Sequence, residues 1–297
     1  MNNSISKSVS VESSFLKWIL LAVLSVIWGS SFILIKKGLL GFGFIEAATI
    51  RLMSAGILFL FLAIKYFKLI PKDKLIYTFY AALFGMFIPA YLFCLAQEKV
   101  ASGVAGLLNA LTPAFAFVFS ILIFKSIYKF SQFAGLLIGL ISAMLLAFER
   151  SENGIIFNSY ALLIMLATLS YGFNINLVKN KLQDVPSLPL SYISVSIAGL
   201  MAFLFFCLPR LSHYSFNNTN ATPLISLIIL GVCGTAIAQV IYYKLIQMTT
   251  PLFSSSVTFL IPIVALFWGI LDGESLHMVH LFCIMGILVG VYLIRKS

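Results

Sequence analysis

The sequence predicts an all-α integral membrane protein of ten transmembrane helices, arranged as two inverted five-helix repeats. Three observations lead there. The 297 residues are 61% hydrophobic and only 9% charged, whereas a soluble domain carries roughly 25% charged residues. With a mean hydropathy of +1.08, the chain has too little charge to clothe a water-facing surface. Its apolar residues come in mixed runs of about 18 to 22, the length of a bilayer-crossing helix, not in the alternating segments of about ten that build outer-membrane strands. The third observation is an internal repeat. Shifting the chain by 149 residues aligns Gly85 with Gly234, Leu111 with Leu260, Pro113 with Pro262, Ala116 with Ala265, and Ile121-Leu122 with Ile270-Leu271. A shift of 143 aligns Trp28-Gly29 with Tyr171-Gly172 and Lys36 with Lys179. Five spans per copy is an odd number, so the two copies must insert in opposite orientations.

The elements follow in order. Residues 1–14 form a polar N-terminal tail. The apolar run behind it is too long for a signal-peptide core and reads as an uncleaved first span. Spans are expected at about 15–35, 45–66, 75–96, 102–124, 131–148, 158–178, 188–209, 223–245, 252–271 and 277–294. The first repeat thus covers 15–148 and the second 158–294. The interruptions are short, the longest being Leu211 to Pro223, and none holds a soluble domain. Its sequons, Asn217-Asn218-Thr219 and Asn220-Ala221-Thr222, matter only in a secretory-pathway host.

The formal net charge of +10 would suit nucleic acid or a membrane surface, and its distribution favours the membrane. With the N-terminus inside, thirteen basic residues fall on inside segments: Lys7, Lys17, Lys65, Lys68, Lys72, Lys74, Lys125, Lys129, Lys179, Lys181, Lys244, Arg295 and Lys296. Five fall outside: Lys36, Lys37, Lys99, Arg150 and Arg210. The positive-inside rule therefore places both termini in the cytoplasm of a multi-pass protein of the cell membrane. Cys94, Cys207, Cys233 and Cys283 lie in or beside apolar runs without close pairing, as small core residues do. No cofactor is called for. His277 and His280 lack a third ligand nearby, so no metal site is expected.

Two spans carry a proline near the middle. Gly103 to Phe124 reads GVAGLLNALTPAFAFVFSILIF, and Ser254 to Leu271 reads SSSVTFLIPIVALFWGIL. Proline has no N–H for the carbonyl four residues earlier, so Pro113 frees that of Asn109 and Pro262 that of Thr258. A free carbonyl in hydrocarbon costs several kcal/mol and must face protein or a wet cavity. The two prolines are therefore expected to mark helix breaks with a gating role beside a central polar pocket. Asn109 and Thr258 lead the substrate-binding candidates. Ser31 and Asn174 occupy matching places in spans one and six, beside Gly29 and Gly172, which let backbones approach. Trp28, Tyr91, Tyr171 and Tyr242 offer a ring face with a polar tip, and Gln239 an amide deep in span eight. Each of these residue types also serves as helix–helix glue or interfacial belt. Arg51, the only basic residue well inside a span, would snorkel outward, pair with Glu46, or hold a substrate carboxylate. None of the nine acids lies near a span centre, so no proton relay is apparent.

The run Trp28-Gly29-Ser30-Ser31-Phe32 resembles the first-span motif of the drug/metabolite transporter superfamily, in its EamA-like ten-span branch. Gly234, Tyr242, Ser254, Pro262, Ala265, Gly269 and Gly273-Glu274 resemble that family's C-terminal repeat, and Arg51 sits where the family often has an arginine. The resemblance covers the whole chain. Two departures stand out: Lys125-Ser126 replaces the glutamate that often closes the fourth span, and Tyr171-Gly172 replaces Trp-Gly. The resemblance implies a carrier of small metabolites, amino acids or drugs, commonly an exporter, working by alternating access. The partners expected are a small-molecule substrate and the lipid bilayer, not nucleic acid, with the chain acting as a monomer or else a dimer. The scarcity of charge in the pocket favours neutral or zwitterionic solutes. The competing reading is an integral membrane enzyme acting on lipids, which would need a nucleophile–base pair or metal cluster; only isolated Ser, His and Glu candidates are present. The chain is not expected to be an enzyme.

Overall fold

The computed structural model describes residues 2–124, 130–146, 148–151, 154–209, 221–255, 257–274 and 278–296. The sequons at Asn217 and Asn220, the Lys125-Ser126 departure, and the side chains of His277 and His280 lie outside the described residues. The described residues form ten helical segments. They are α1 (Asn2–Leu39), α2 (Phe44–Tyr66), α3 with α4 (Leu75–Ala82 and Ile88–Ala96), α5 with α6 (Ser102–Asn109 and Thr112–Phe124) and α7 (Phe130–Leu146). After them come α8 (Tyr160–Lys181), α9 (Ser187–Ala202), α10 with α11 (Ala221–Ile229 and Ala238–Met248), α12 with α13 (Pro251–Ser255 and Val257–Leu271) and α14 (Met278–Lys296).

Eight segments are long and apolar enough to cross a membrane: Phe15–Leu39, Phe44–Leu69, Lys72–Ala96, Ser102–Ile123, Tyr160–Lys181, Ser187–Cys207, Ala221–Met248 and Phe253–Leu271. The expected fifth and tenth spans are shorter. They are α7, at 17 residues, and the apolar stretch Leu281–Gly290 within α14, and the two pack on each other. One feature departs from an all-helical chain. Between the halves, β1 (Phe148–Ser151) and β2 (Gly154–Phe157) form an antiparallel hairpin with Phe148 opposite Phe157. The sequence reading ran the fifth span to residue 148, into this hairpin.

Three segments contain a π-helical stretch. Leu83–Phe87 joins α3 to α4, Leu230–Ile237 joins α10 to α11, and Phe203–Cys207 follows α9. A π turn skips one backbone pairing and so leaves a carbonyl available, often at a functional site. In the eighth segment the N–H of Ala238 reaches Cys233, five residues back, and passes over the carbonyl of Gly234. In the third, Pro89 follows the π turn and has no N–H for the carbonyl of Gly85. The same device thus recurs at two glycines that the 149-residue shift aligns.

The helices pack in a pattern that is preserved when the two halves are exchanged. α2 lies on α9, and α7 on α14. α1 packs on α13, as α8 does on α6. α1 also meets α10 and α11, as α8 meets α3 and α4. Fully buried aliphatic residues, among them Leu24, Leu52, Leu108, Ile164 and Ile175, fill the spaces between them. Outward faces carry Phe61, Ile64, Leu122, Ile263 and Phe267, each more than half exposed, as a helix facing lipid requires.

Candidate functional site

A cavity lies where α1, α2, α5, α8 and the third, eighth and ninth segments converge. It holds about 760 Å³ of unoccupied space, including its opening toward solvent. Seven of the nine substrate-binding candidates line it: Trp28, Asn109, Tyr171, Asn174, Gln239, Tyr242 and Thr258.

Two aromatic pairs form its walls. Trp28 meets Tyr242 edge-on, with ring centroids 4.7 Å apart and planes at 74°. Tyr171 stacks on Phe93 at 6.0 Å and 26°. The shifts of 143 and 149 residues relate Trp28 to Tyr171 and Phe93 to Tyr242, so the pairs occupy equivalent places. Trp28 also donates from Nε1 to the carbonyl of Gly234 at 3.0 Å, using the acceptor that the π turn leaves open. An indole that packs on one side and hydrogen-bonds on the other is held in one orientation.

The fourth segment breaks fully. α5 ends at Asn109, a turn at Ala110-Leu111 follows, and α6 begins at Thr112 with Pro113 as its second residue. That position suits proline, since an N–H there has no intrahelical partner to lose. The hydroxyl of Thr112 donates to the carbonyl of Asn109 at 2.8 Å and so satisfies the group that Pro113 leaves free. The ninth segment behaves differently: α13 continues through Pro262. Thr258 donates to the carbonyl of Ser255 at 2.8 Å. Both prolines are buried beside the cavity and neither lines it. The symmetric pair of breaks expected from sequence is a break in one half and a tolerated proline in the other.

Ser31 and Tyr91 do not line the cavity. Ser31 donates back to Ile27 at 3.1 Å, one turn earlier, and lies under the backbone of Gly234. Tyr91 shares a hydrogen bond with Thr49 at 2.8 Å and packs against Phe87 and Phe206, at 5.1 and 4.4 Å. Its ring faces a separate aromatic cluster because α4 turns it away from Phe93. Gly29 and Gly172 do sit at close approaches, to Val264 and to the backbone of Ala116.

The wall also includes Phe32, Met86, Phe93, Thr112 and Thr235, none of them picked out as ligands from sequence, and Arg51, for which holding a carboxylate was one of three readings. Phe93 was discoverable as the repeat partner of Tyr242, and Thr235 as the residue one turn before Gln239. Arg51 does not snorkel. It is 8% exposed, faces the cavity, and donates from Nε to Thr235 at 2.9 Å. No ion pair joins it to Glu46 among the described residues. A charge at the centre of a membrane helix costs about 2.5–3.5 kcal/mol on insertion scales, so its inward placement matters. Two further polar atoms of the lining are buried without a hydrogen-bond partner among the described residues, Oδ1 of Asn174 and Nε2 of Gln239. Asn174 reaches in because Gly85 has no side chain; a β-carbon there would lie 2.4 Å from its amide nitrogen.

Ionic and capping contacts fasten the helices at two ends; the first ties the two halves together and the second lies within the second half. At one, Lys36 Nζ pairs with Asp272 at 2.7 Å and Glu274 at 2.9 Å, and Lys37 pairs with Asp272. Glu274 also caps α5 from the other half of the chain. It accepts from the N–H groups of Ser102 and Gly103 at 3.0 and 2.9 Å, and from the Ser102 hydroxyl at 2.6 Å. Gly273 makes this reach with a φ of 82°, which glycine adopts without strain. The Lys36 and Lys37 ammonium groups hold the Asp272 carboxyl below its usual range. Burial alone would raise Glu274, but the Ser102 hydroxyl, Lys36 and the two N–H groups together bring it below its usual value. At the other end Lys179 caps the last turn of α11, reaching the carbonyl of Thr249 at 2.6 Å. Gln247 donates to Val185 at 2.7 Å. The repeat-related lysines Lys36 and Lys179 thus do different jobs, one ionic and one capping.

The comparisons with known proteins agree with this architecture. The profile of the EamA-like transporter family matches the chain twice, over residues 16–148 and 158–296. The chain is 28% identical over 285 residues to the uncharacterized inner membrane transporter YedA of Escherichia coli K12, covering 92% of this chain and 89% of that protein. It is 24% identical over 283 residues to an uncharacterized transporter of Archaeoglobus fulgidus, covering 95% and 99%. A crystal structure of a protein 14% identical superposes with a TM-score of 0.62 over 96% of this chain, and shares the fold. With family matches in both halves, the chain is a multi-pass membrane protein and belongs to the EamA-like transporter family.

Proposed function

We propose that the chain is a secondary transporter of small metabolites, such as amino acids or related amphipathic solutes. Ten spans form two inverted five-helix halves, 15–148 and 158–294, which rock about their interface and open the central cavity to each side in turn. The observation that carries this reading is that repeat-equivalent ring pairs, Trp28 with Tyr242 and Tyr171 with Phe93, line one cavity. A site built from matching pieces of both halves has the geometry that alternating exposure needs. The packing pattern preserved on exchange of halves, and the π turns at Gly85 and Gly234, support the same reading.

The excess of lysine and arginine on alternate segments supports cytoplasmic termini in the cell membrane. The ionic cluster around Glu274, which links the halves, then lies at the outer end, and the Lys179 cap, which joins segments of the second half, at the inner end. The chain works as an exporter or exchanger and as a monomer. The test is flux of an amino-acid and metabolite panel in reconstituted vesicles, with and without a pH gradient. Movement of at least one class, unchanged chemically, is expected; no movement of any solute would reject the transporter reading.

A further inference from the structure

We infer that the cavity holds its solute by a carboxylate seated on Arg51, which makes the preferred substrate class amphipathic carboxylates. This rests on the cavity being the transport site. It narrows the expectation of neutral or zwitterionic solutes to those that carry a carboxylate at one defined end.

Arg51 is a permanent cation, since guanidinium does not lose its proton in proteins. It is more than nine-tenths buried and lines the cavity. Its only side-chain hydrogen bond among the described residues is the one from Nε to Thr235. The acids that make ion pairs are committed elsewhere: Asp272 and Glu274 to Lys36 and Lys37, and Asp184 to Lys74. Among the described residues no carboxylate pairs with the guanidinium, and a buried charge without a partner is strongly disfavoured. An anion brought by the solute removes that cost in the bound state.

The geometry favours a carboxylate over a bare anion. Thr235 occupies the Nε side, which fixes the guanidinium plane and leaves the edge formed by the two terminal nitrogens for a bidentate contact. The rest of the cavity suits an apolar body with a further polar group. Trp28, Phe93, Tyr171 and Tyr242 provide ring faces, while Asn174 and Gln239 bring amides into the lining. The 143-residue shift places Ser194 at the position equivalent to Arg51. The rings are therefore repeat-related, but the charge is present on one side only and sets which way the solute lies.

The test is direct binding to the purified chain in lipid nanodiscs, using probes matched in shape: 3-phenylpropionate, its neutral amide 3-phenylpropionamide, and the cation 2-phenylethylamine. The acid should bind at least about tenfold more tightly than the amide, and the amine more weakly still. Arg51→Gln should bring acid and amide within about twofold of each other, and Arg51→Lys, which keeps the charge but loses the fork, should fall between. Equal binding of acid and amide to the unmodified chain would overturn the inference, and needs no variant to fold. So would an acid preference that survives Arg51→Gln. Flux in vesicles separates this from the transporter reading. Charge-selective binding without flux would sink the transporter and leave the carboxylate site. Flux of solutes with no acid preference would do the reverse.

Discussion

Gly56 of α2 and Gly199 of α9 meet face to face, and a β-carbon built on either would lie 2.9 or 2.8 Å from the α-carbon of the other. The 143-residue shift that relates Trp28 to Tyr171 also relates these two glycines. Equivalent residues touch each other only on an axis that exchanges the halves, so this contact marks where the proposed repeats meet. Small residues let membrane helices approach this closely, where van der Waals packing replaces the absent hydrophobic drive.

Gly56→Ala and Gly199→Ala should each force α2 and α9 apart, because the obstructing atoms are backbone and cannot rotate away. A loss of about 1–3 kcal/mol is expected for overpacking. Thermal unfolding of the purified variants in detergent measures it, and a melting temperature equal to that of the unmodified chain would refute the close contact.

Trp28→Phe keeps a ring beside Tyr242 and removes the Nε1 bond to Gly234. The net cost of the lost bond is about 1 kcal/mol. Since the same bond orients the ring at the cavity, flux should fall more than stability does. Tyr242→Phe, which keeps the edge-on ring contact, should retain more activity than Trp28→Phe; the opposite order would show that the hydroxyl, not the indole, matters.

Asn109→Leu replaces a buried amide that lines the cavity while leaving the carbonyl of residue 109, the Thr112 bond and the Pro113 break in place. Transport should be abolished with expression and folding intact. Unchanged rates would remove Asn109 from the pocket.

Acid should weaken the cluster at Glu274. Its pKa and that of Asp272 are lowered in the folded chain, so their contribution is fully present above the ordinary values of 3.8 and 4.5 and is lost as pH falls through the lowered ones. Melting temperature should be flat from pH 7 to about 5 and then decline. In Glu274→Gln the neutral-pH value should start lower, by about 1–2 kcal/mol for a lost charged cap, and the acid decline should shrink. A decline of equal size in the variant would assign it to other carboxylates.

Much of this was legible in the sequence because a bilayer makes local composition decisive. Runs of apolar residues must become helices, since lipid offers no partner for backbone groups, and eight such helices form. The cavity wall was partly legible for a related reason. Polar and amphipathic side chains in a span must face inward, so Gln239 could be read from its depth, Asn174 from its repeat position, and Asn109 and Thr258 from the prolines one turn later. Tyr91 defeated that logic because an inward ring has more than one place to pack, and Thr49 and Phe206 hold it in a separate aromatic cluster. Ser31 defeated it because a hydroxyl can satisfy itself on the preceding turn, at Ile27, and needs no pocket.

By itself, then, the sequence determined the membrane class, the helical segments and the short list of polar residues that lipid would not tolerate. Tertiary structure alone decided which of them share a space. Whether Arg51 turned toward the lipid–water boundary, toward Glu46 or into the cavity depended on Thr235, a residue 184 positions away, and spacing along one helix carries no information about that contact. The proline breaks show the same division. Pro113 and Pro262 each remove one N–H, but whether the helix parts or continues is set by what can satisfy the freed carbonyl. Thr112 does so for Asn109 in a turn, while α13, packed on α1 and α5, continues through Pro262.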